Sequence, residues 1–444
     1  MIGALVLASV LHQAPKAFIE NPPAPAEEGI HFQAALEVGG QALPSGTGAN
    51  QMDGFGVVFP RLGVKGGDEF EFELGAPLRL RVLDQEPQQL EQDYGGRLRR
   101  QDWDERSDFG QILRNLRIGR DDGHVQLRAG AFSTYSLGAG WLVNRYHNRI
   151  SPDYHPAGGN LVAYLGPTRV ELFASDVLAM RLFAAEVRLD LGRLLSGQDT
   201  AFDRFLLSVD AAHDFGKGGG TTPALSAASI GFQAGVVKNE KVQLWLQAAA
   251  GARADTLIES IPDYGAAFGV VVRGQPKETV DLTGRLEARR QGGRFRFGFF
   301  GAGYEFSRFS GVGLSEQPLA EELLPGTFSG YGEFAASVIP FGGPEDLELT
   351  ASASGEYFVS TGRVDADAVL QAHLPGGKTV AELRVILTDL TMHPRYSAAV
   401  AVSHRFLPAV YGLVTAGREH FPQAEGNLLH GFTAGVGVGV DFQR

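Results

Sequence analysis

The side chains best suited to do chemistry in this chain are arginines set against carboxylates. Asp281, Thr283, Arg285, Glu287 and Arg289 recur at every second position, and Arg294 and Arg296 follow at the same spacing. Upstream, Arg97, Arg99, Arg100 and Arg106 lie among Asp102, Asp104, Glu105 and Asp108, followed by Arg114, Arg117, Arg120 and Arg128. Guanidinium groups facing carboxylates across a narrow wet passage create a transverse field that selects polar solutes. The plainer reading of the upstream run is a solvated loop with salt-bridged ends, the commoner fate of a charge run. For the downstream ladder it is mutual pairing that fills an interior. Arg114, Arg117, Arg285, Glu287, Arg289, Arg294 and Arg296 are accordingly the candidate lumen or constriction residues.

Signs of catalysis are lacking. No G-x-S-x-G, H-E-x-x-H, P-loop or EF-hand pattern occurs. His147, Asp153 and His155 are metal-compatible types, but their irregular spacing beside two prolines reads as a turn. His393, His404, His420 and His430 are scattered, and the Gly-x-Gly runs near the C-terminus lack the following helix of a dinucleotide site. Ser403 and His404, adjacent in a strand, would point to opposite faces and could not pair as nucleophile and base. No enzyme activity, cofactor or metal site is expected.

The elements that must carry the arginines show period-two alternation. In EVRLDLG, Glu186, Arg188 and Asp190 share one face and Val187, Leu189 and Leu191 the other. Phe205, Leu207, Val209 and Ala211 alternate with Ser208, Asp210, Ala212 and Asp214, and the Asp281–Arg289 ladder alternates with Val280, Leu282, Leu286 and Ala288. RFRFGF extends that ladder by setting Arg294 and Arg296 against Phe295, Phe297 and Phe299, with a bulge at the Phe299–Phe300 pair. Leu347, Leu349, Ala351 and Ala353 oppose Glu348, Thr350, Ser352 and Ser354; near the end Val436, Val438 and Val440 oppose Gly435, Gly437 and Gly439. Clusters such as GKGGGTTP, KNEK, RQGG and FGGPED read as turns, and no segment holds a capped helical period.

These strands run to roughly nine to twelve residues, longer than sandwich strands and suited to crossing a bilayer at a tilt. The oily face then meets lipid and the polar face a wet interior, while closure removes edges that lipid could not satisfy. The fold class expected is all-β: a transmembrane antiparallel up-and-down β-barrel. At about 22 to 26 residues per strand and connection it would have roughly 16–18 strands. Trp141, Tyr146, Tyr154, Tyr164, Trp245, Tyr304, Phe306, Tyr331, Tyr357 and Tyr411 suit its interfacial girdles.

Composition agrees. The chain has 444 residues with 59 Gly, 29 Phe and no Cys, and its mean hydropathy of −0.06 is far from that of a helical membrane protein. Without Cys there are no disulfides, thiolate metal sites or lipidated cysteine. A formal charge of −12 argues against nucleic acid as a partner. Ile2 to Leu11 forms a short apolar run like a secretory h-region, although no basic residue precedes it. Residues 1–17 are thus expected to be a signal peptide, 18–30 a Pro-rich acidic leader and 31–444 a single outer-membrane barrel domain. That route leads through the periplasm to the cell outer membrane. The last strand is similar to the C-terminal barrel-assembly signal, with Phe442 two residues short of the end.

Residues 103–166 combine an Arg- and Gly-containing strand pair, a Leu-Gly-x-Gly turn (Leu137, Gly138, Gly140) and an Asn-Arg-Tyr-x-Asn element (Asn144, Arg145, Tyr146, Asn148). This segment, about a seventh of the chain, resembles one in large, poorly characterised, porin-like outer-membrane barrels of myxobacterial type. The resemblance implies a barrel and brings no chemistry with it. The function expected is a porin-like channel for small polar or ionic solutes. The alternative is a non-channel or export barrel subunit of an envelope assembly serving polysaccharide export, motility or adhesion, which long loops and a plugged lumen would favour. Expected partners are outer-membrane lipid and lipopolysaccharide, with envelope proteins under the alternative; oligomerisation is left open.

Overall fold

Strands with one oily and one polar face can satisfy every backbone group in lipid only by closing on themselves. In the computed structural model the chain does so, and the structure describes residues 29–443 except 45–50, 86–92, 96, 121–122, 197–203, 217–223, 240, 255–262, 278, 310–322, 340–346, 377, 392–393 and 423–427. The expected signal peptide, and the leader up to residue 28, lie outside the described residues.

The strands are β1 (Ile30–Pro44), β2 (Met52–Gly66), β3 (Phe70–Gly75), β4 (Leu78–Leu83), β5 (Asp93–Tyr94), β6 (Leu98–Arg99), β7 (Leu113–Ile118), β8 (Val125–Gly130), β9 (Gly158–Leu165), β10 (Thr168–Ala174), β11 (Leu182–Asp190) and β12 (Phe205–Asp214). They continue as β13 (Leu225–Lys238), β14 (Val242–Arg253), β15 (Tyr264–Lys277), β16 (Val280–Gly293), β17 (Leu324–Val338), β18 (Glu348–Phe358), β19 (Val364–His373), β20 (Thr379–Thr388), β21 (Arg395–Leu407), β22 (Val410–Pro422) and β23 (Leu428–Gln443). β3 and β4 both pair with β2 and form one crossing broken at Ala76–Pro77, where proline has no N–H to give the ladder. β5 and β6 are a small hairpin joined to β4 at Leu80↔Leu98. From β7 to β23 each strand pairs antiparallel with the next, and β1 closes the wall on β23 with Ala34↔Phe442 and Ala42↔Ala434.

The described residues therefore make twenty crossings, above the 16–18 expected. Most connections on the rim that carries the chain ends are short, as at 166–167 and 408–409, with 191–204 the longest, so each crossing uses less chain than assumed. Connections on the far rim include the long 84–112, 131–157 and 294–323. Among the described residues no helix is long and apolar enough to cross a membrane.

The expected faces hold on the strands. On β16, Thr283, Arg285, Glu287 and Arg289 are buried inside while Leu286 on the outer face is 65% exposed. On β12, Ser208, Asp210, Ala212 and Asp214 point in and Val209 and Ala211 out. RFRFGF departs from expectation. β16 ends at Gly293, so RQGG is strand rather than turn, and the chain from Arg294 bends into the barrel, where Phe295, Phe297, Phe299 and Phe300 are buried. The girdle assignment also needs correction: Trp141, Tyr146, Tyr154, Tyr304, Phe306, Tyr331 and Tyr411 are buried, whereas Tyr164 and Tyr357 are exposed. Period two cannot tell an apolar face that meets lipid from one that meets chain folded into the lumen.

Candidate functional site

Two inward segments fill the middle of the barrel. Residues 131–157 enter from β8 as a hairpin in which Tyr135 N–H donates to the Tyr146 carbonyl (3.0 Å), Tyr146 N–H to that of Tyr135 (2.7 Å), and Leu137 N–H to Val143 (3.1 Å). Residues 294–303 lie alongside: Gly298 N–H donates to the Trp141 carbonyl (2.8 Å), Phe300 N–H to Leu142 (3.0 Å), and Asn144 N–H to Phe300 (3.1 Å). Their side chains form the main apolar cluster, with Leu137, Trp141, Leu142, Val143, Tyr146, Phe295, Phe297, Phe299, Phe300 and Tyr304 packed on Leu182, Ala184, Ala212, Ala227, Ala249 and Ala267 of the wall. Small inward residues make that room. A Cβ on Gly231 would lie 2.3 Å from Trp141 Nε1, and one on Gly251 2.5 Å from the Phe295 ring. Each large side chain so buried stabilises by about 1.5–3 kcal/mol.

The Leu-Gly-x-Gly and Asn-Arg-Tyr-x-Asn elements prove to be the fastenings of this insert. Gly138 (φ 54°) and Gly140 (φ 73°) adopt left-handed backbone, and a Cβ on Gly138 would fall 2.0 Å from a Glu186 carboxylate oxygen. Asn144 donates to the Tyr331 hydroxyl (2.7 Å), and the Tyr146 hydroxyl donates to Glu305. Arg145, itself left-handed at φ 53°, grips Asp367 from Nε (3.0 and 2.9 Å) and Nη2 (2.5 Å), and Nη2 also donates to Ser352 (3.1 Å). Glu333 stands 3.5 Å from its Nη1. On the opposite wall the Tyr135 hydroxyl donates to Glu171 (2.9 Å) and Gly138 N–H approaches the same carboxylate at 3.3 Å. Asn148 closes the segment's base, accepting from Phe132 N–H (2.7 Å) and donating to the Ser175 carbonyl (3.2 Å).

Against this insert lie the strand candidates. Glu287 is held between Arg285 (Nε, 2.6 Å) and Arg289 (Nε, 2.7 Å) and accepts from Gln247 (2.5 Å). Arg289 also donates to Glu356 (2.8 Å) and stacks on Tyr331 at 3.9 Å, while Arg285 stands over Trp141 at 5.1 Å. Arg296, on the 294–303 segment rather than on a strand, faces Phe358 (5.9 Å) across a cavity of about 100 Å³ whose lining includes Arg289, Tyr331, Glu356, Arg363 and Asp367. The backbone N–H of Arg294 donates to Asp263 (2.8 Å), and Arg294 is not among the cavity's lining residues. Arg114 and Arg117 belong elsewhere, on β7. A register shift at Glu73/Leu74 lies opposite Arg114, whose charged neighbours are Glu73, Arg61 and Glu37; Arg117 lies 4.0 Å from Glu71. The seven candidates thus form two groups, with Arg294 apart from both.

The upstream charge run is partly folded in. Arg99 donates to Asp102 (2.7 Å) and Asp153 (2.5 Å), both Arg99 and Asp102 being buried, while Arg97, Arg100, Asp104, Glu105 and Arg106 are exposed. Asp108 is buried and accepts from the Glu105 backbone N–H (2.8 Å). Burial holds the His147 and His155 imidazoles well below their ordinary range. Asp153 is engaged by Arg99, and among the described residues no three ligands could hold a metal ion. Ser403 is buried while His404 is exposed, so the two diverge as the strand period requires. Sequence reasoning missed Arg145, Glu333, Glu356, Arg363 and Asp367 as site residues; inward alternation on β17 to β19 was the signal available for the carboxylates.

No protein-family model matches the chain, and no curated protein does. Solved structures similar to it include OccAB4 of Acinetobacter baumannii, at 10% identity over 95% of this chain and 100% of that one with a TM-score of 0.35. OccK2 (OpdF) of Pseudomonas aeruginosa, solved with glucuronate, shows 9% identity over 95% and 99% at 0.34. The ferric enterobactin receptor PfeA of the same organism shows 9% over 94% and 81% at 0.32. The superpositions are loose at these scores, and the assignment of an all-β antiparallel barrel rests on the closed strand register itself.

Proposed function

We propose that this protein is an outer-membrane channel for small polar or ionic solutes, narrowed by its inserted segments to the gap between residues 296–303 and strands β17 to β20. The observation that carries this reading is the cavity there, lined by both charge signs (Arg289, Arg296 and Arg363 against Glu356, Asp365 and Asp367) with Tyr331 and Phe358 beside them. Mixed charge at a constriction favours hydrated, polar cargo over apolar cargo. Short connections on the rim of the chain ends and long ones opposite fit an outer-membrane barrel with its ends toward the periplasm. Lipid and lipopolysaccharide would then surround the wall.

The test is single-channel conductance of the refolded protein in planar bilayers, with a heat-modifiability gel to show that the barrel is folded. Stable current steps, altered in size or ion preference by Arg296→Gln, are expected. A folded barrel that passes no current would overturn the channel. One observation favours the second reading, a plugged barrel that works within an envelope assembly: the insert carries an apolar core and is fastened to opposite walls. Under that reading conductance appears only when a partner or a mutation unseats the insert.

A further inference from the structure

The wall is not of even height. β7 and β8 have six residues each, β10 seven and β9 eight, against fourteen in β13, β15 and β16 and fifteen in β17. Six to eight residues at about 3.4 Å each, tilted about 40°, rise only about 16–21 Å, short of the roughly 25 Å apolar band of such barrels. All four strands reach the rim of the chain ends through 119–124 and 166–167, so the shortfall lies at their far ends, above Gly130, Gly158 and Ala174.

Two segments outside the sheet occupy that space, the 3-10 turn Arg106–Ile112 and the connection 175–181. Both present apolar side chains outward: Phe109, Ile112, Val177, Leu178 and Met180 are between 38% and 50% exposed. Lipid rejects irregular backbone because its polar groups find no partner there, yet here many are met from within. Arg149 donates to the carbonyls of Gly110 (3.0 Å) and Leu113 (3.3 Å), and Gln111 to that of Asp102 (2.6 Å). Val177 N–H reaches the Ala157 carbonyl (2.7 Å), Leu178 N–H reaches Asp176 (2.9 Å), and Ser107 ties the two segments by donating to Asp176 (2.6 Å). Apolar side chains are exposed on the strands as well, Val82 on β4 and Val187 on β11 among them.

We propose that residues 106–112 and 175–181 form a strandless panel of the wall that docks the acyl chains of lipids in the leaflet nearest the far rim. The panel separates lumen from bilayer by loop instead of sheet. It rests on the reading of the barrel as membrane-embedded, and the test keeps the two apart.

The chain has no cysteine, so single cysteines can be placed by Val177→Cys and Leu178→Cys on the panel, Val82→Cys on a strand face and Ser360→Cys at an exposed position of the far-rim turn 359–363. Each variant of the full chain is reconstituted in phosphatidylcholine vesicles, its fold checked by heat-modifiability. Reaction with a water-soluble maleimide is then followed, normalised to reaction after unfolding. Panel and strand cysteines should react at least tenfold more slowly than Ser360→Cys, and a fluorophore attached at 177 or 178 should be quenched by nitroxide-labelled phosphatidylcholine as strongly as one at 82. Panel cysteines as reactive as Ser360→Cys, with Val82→Cys protected, would overturn the panel and leave the membrane reading intact. Protection without nitroxide quenching would mean that protein covers it, which also overturns lipid as the occupant. If Val82→Cys reacts like Ser360→Cys, the membrane reading fails and the panel falls with it.

Discussion

Replacing Arg145 with alanine removes the fastening that reaches furthest across the barrel. Its guanidinium is 2% exposed, holds Asp367 through two nitrogens and has Glu333 at 3.5 Å. Removing one member of a buried ion pair costs about 3–5 kcal/mol, because the partner stays charged and out of water. Asp367 would then be left with Ser354, whose hydroxyl donates to it at 2.5 Å. Since the change acts on the seating of 131–157 and not on the strand ladder, that cost falls on the balance between seated and displaced insert. At about 1.4 kcal/mol per tenfold, the displaced fraction should rise between one hundred- and several thousandfold. Single-channel recording should then show larger or more frequent openings in Arg145→Ala, while heat-modifiability still reports a closed barrel. Asp367→Asn should be milder, because Glu333 remains beside the arginine, and the double variant should cost less than the sum of the singles. Recordings of Arg145→Ala indistinguishable from the parent, together with additive costs, would refute the fastening.

Two further outcomes follow from the same geometry. Gly138→Ala should unseat the insert as well, since its Cβ meets the Glu186 carboxylate and its backbone is left-handed, a cost of about 1–2 kcal/mol before the clash; Gly284→Ala, with open space at its Cβ, is the control, and protease nicking within 131–157 is the readout. Trp141→Ala should lower the unfolding midpoint by an amount equivalent to about 3–5 kcal/mol, measurable as loss of the compact gel form at lower temperature.

The wall was legible in the sequence because its signal is local. Ser208, Asp210, Ala212 and Asp214 alternate with apolar neighbours whatever lies inside, and the structure places them as the period requires. The insert was not legible for the same reason. Phe295, Phe297 and Phe299 alternate as a lipid-facing strand would, yet they pack on one another and on Trp141 within the lumen. The Asn-Arg-Tyr-x-Asn element stood out as a pattern, but its meaning depends on Tyr331 and Asp367, roughly two hundred residues downstream. Tyr331 suits a girdle by sequence, because an aromatic in a strand gives no sign of which face it takes. Arg285 and Arg289 are legible because they alternate on a strand, and Arg296 because it continues their spacing; Arg145 shows no role in sequence, since no carboxylate lies near it along the chain.

The insert also bears on the order of assembly. It belongs to the chain between β8 and β9, but it is held from one side by Glu171 of β10 and from the other by Tyr331 of β17 and Asp367 of β19. A hairpin emerging early in synthesis must therefore wait, unfastened, until strands made much later arrive, and such long-range closure is slow. Once seated, it acts as a spoke between facing walls, so the roundness of the finished barrel is set by a tie across its diameter as well as by the hoop of strands.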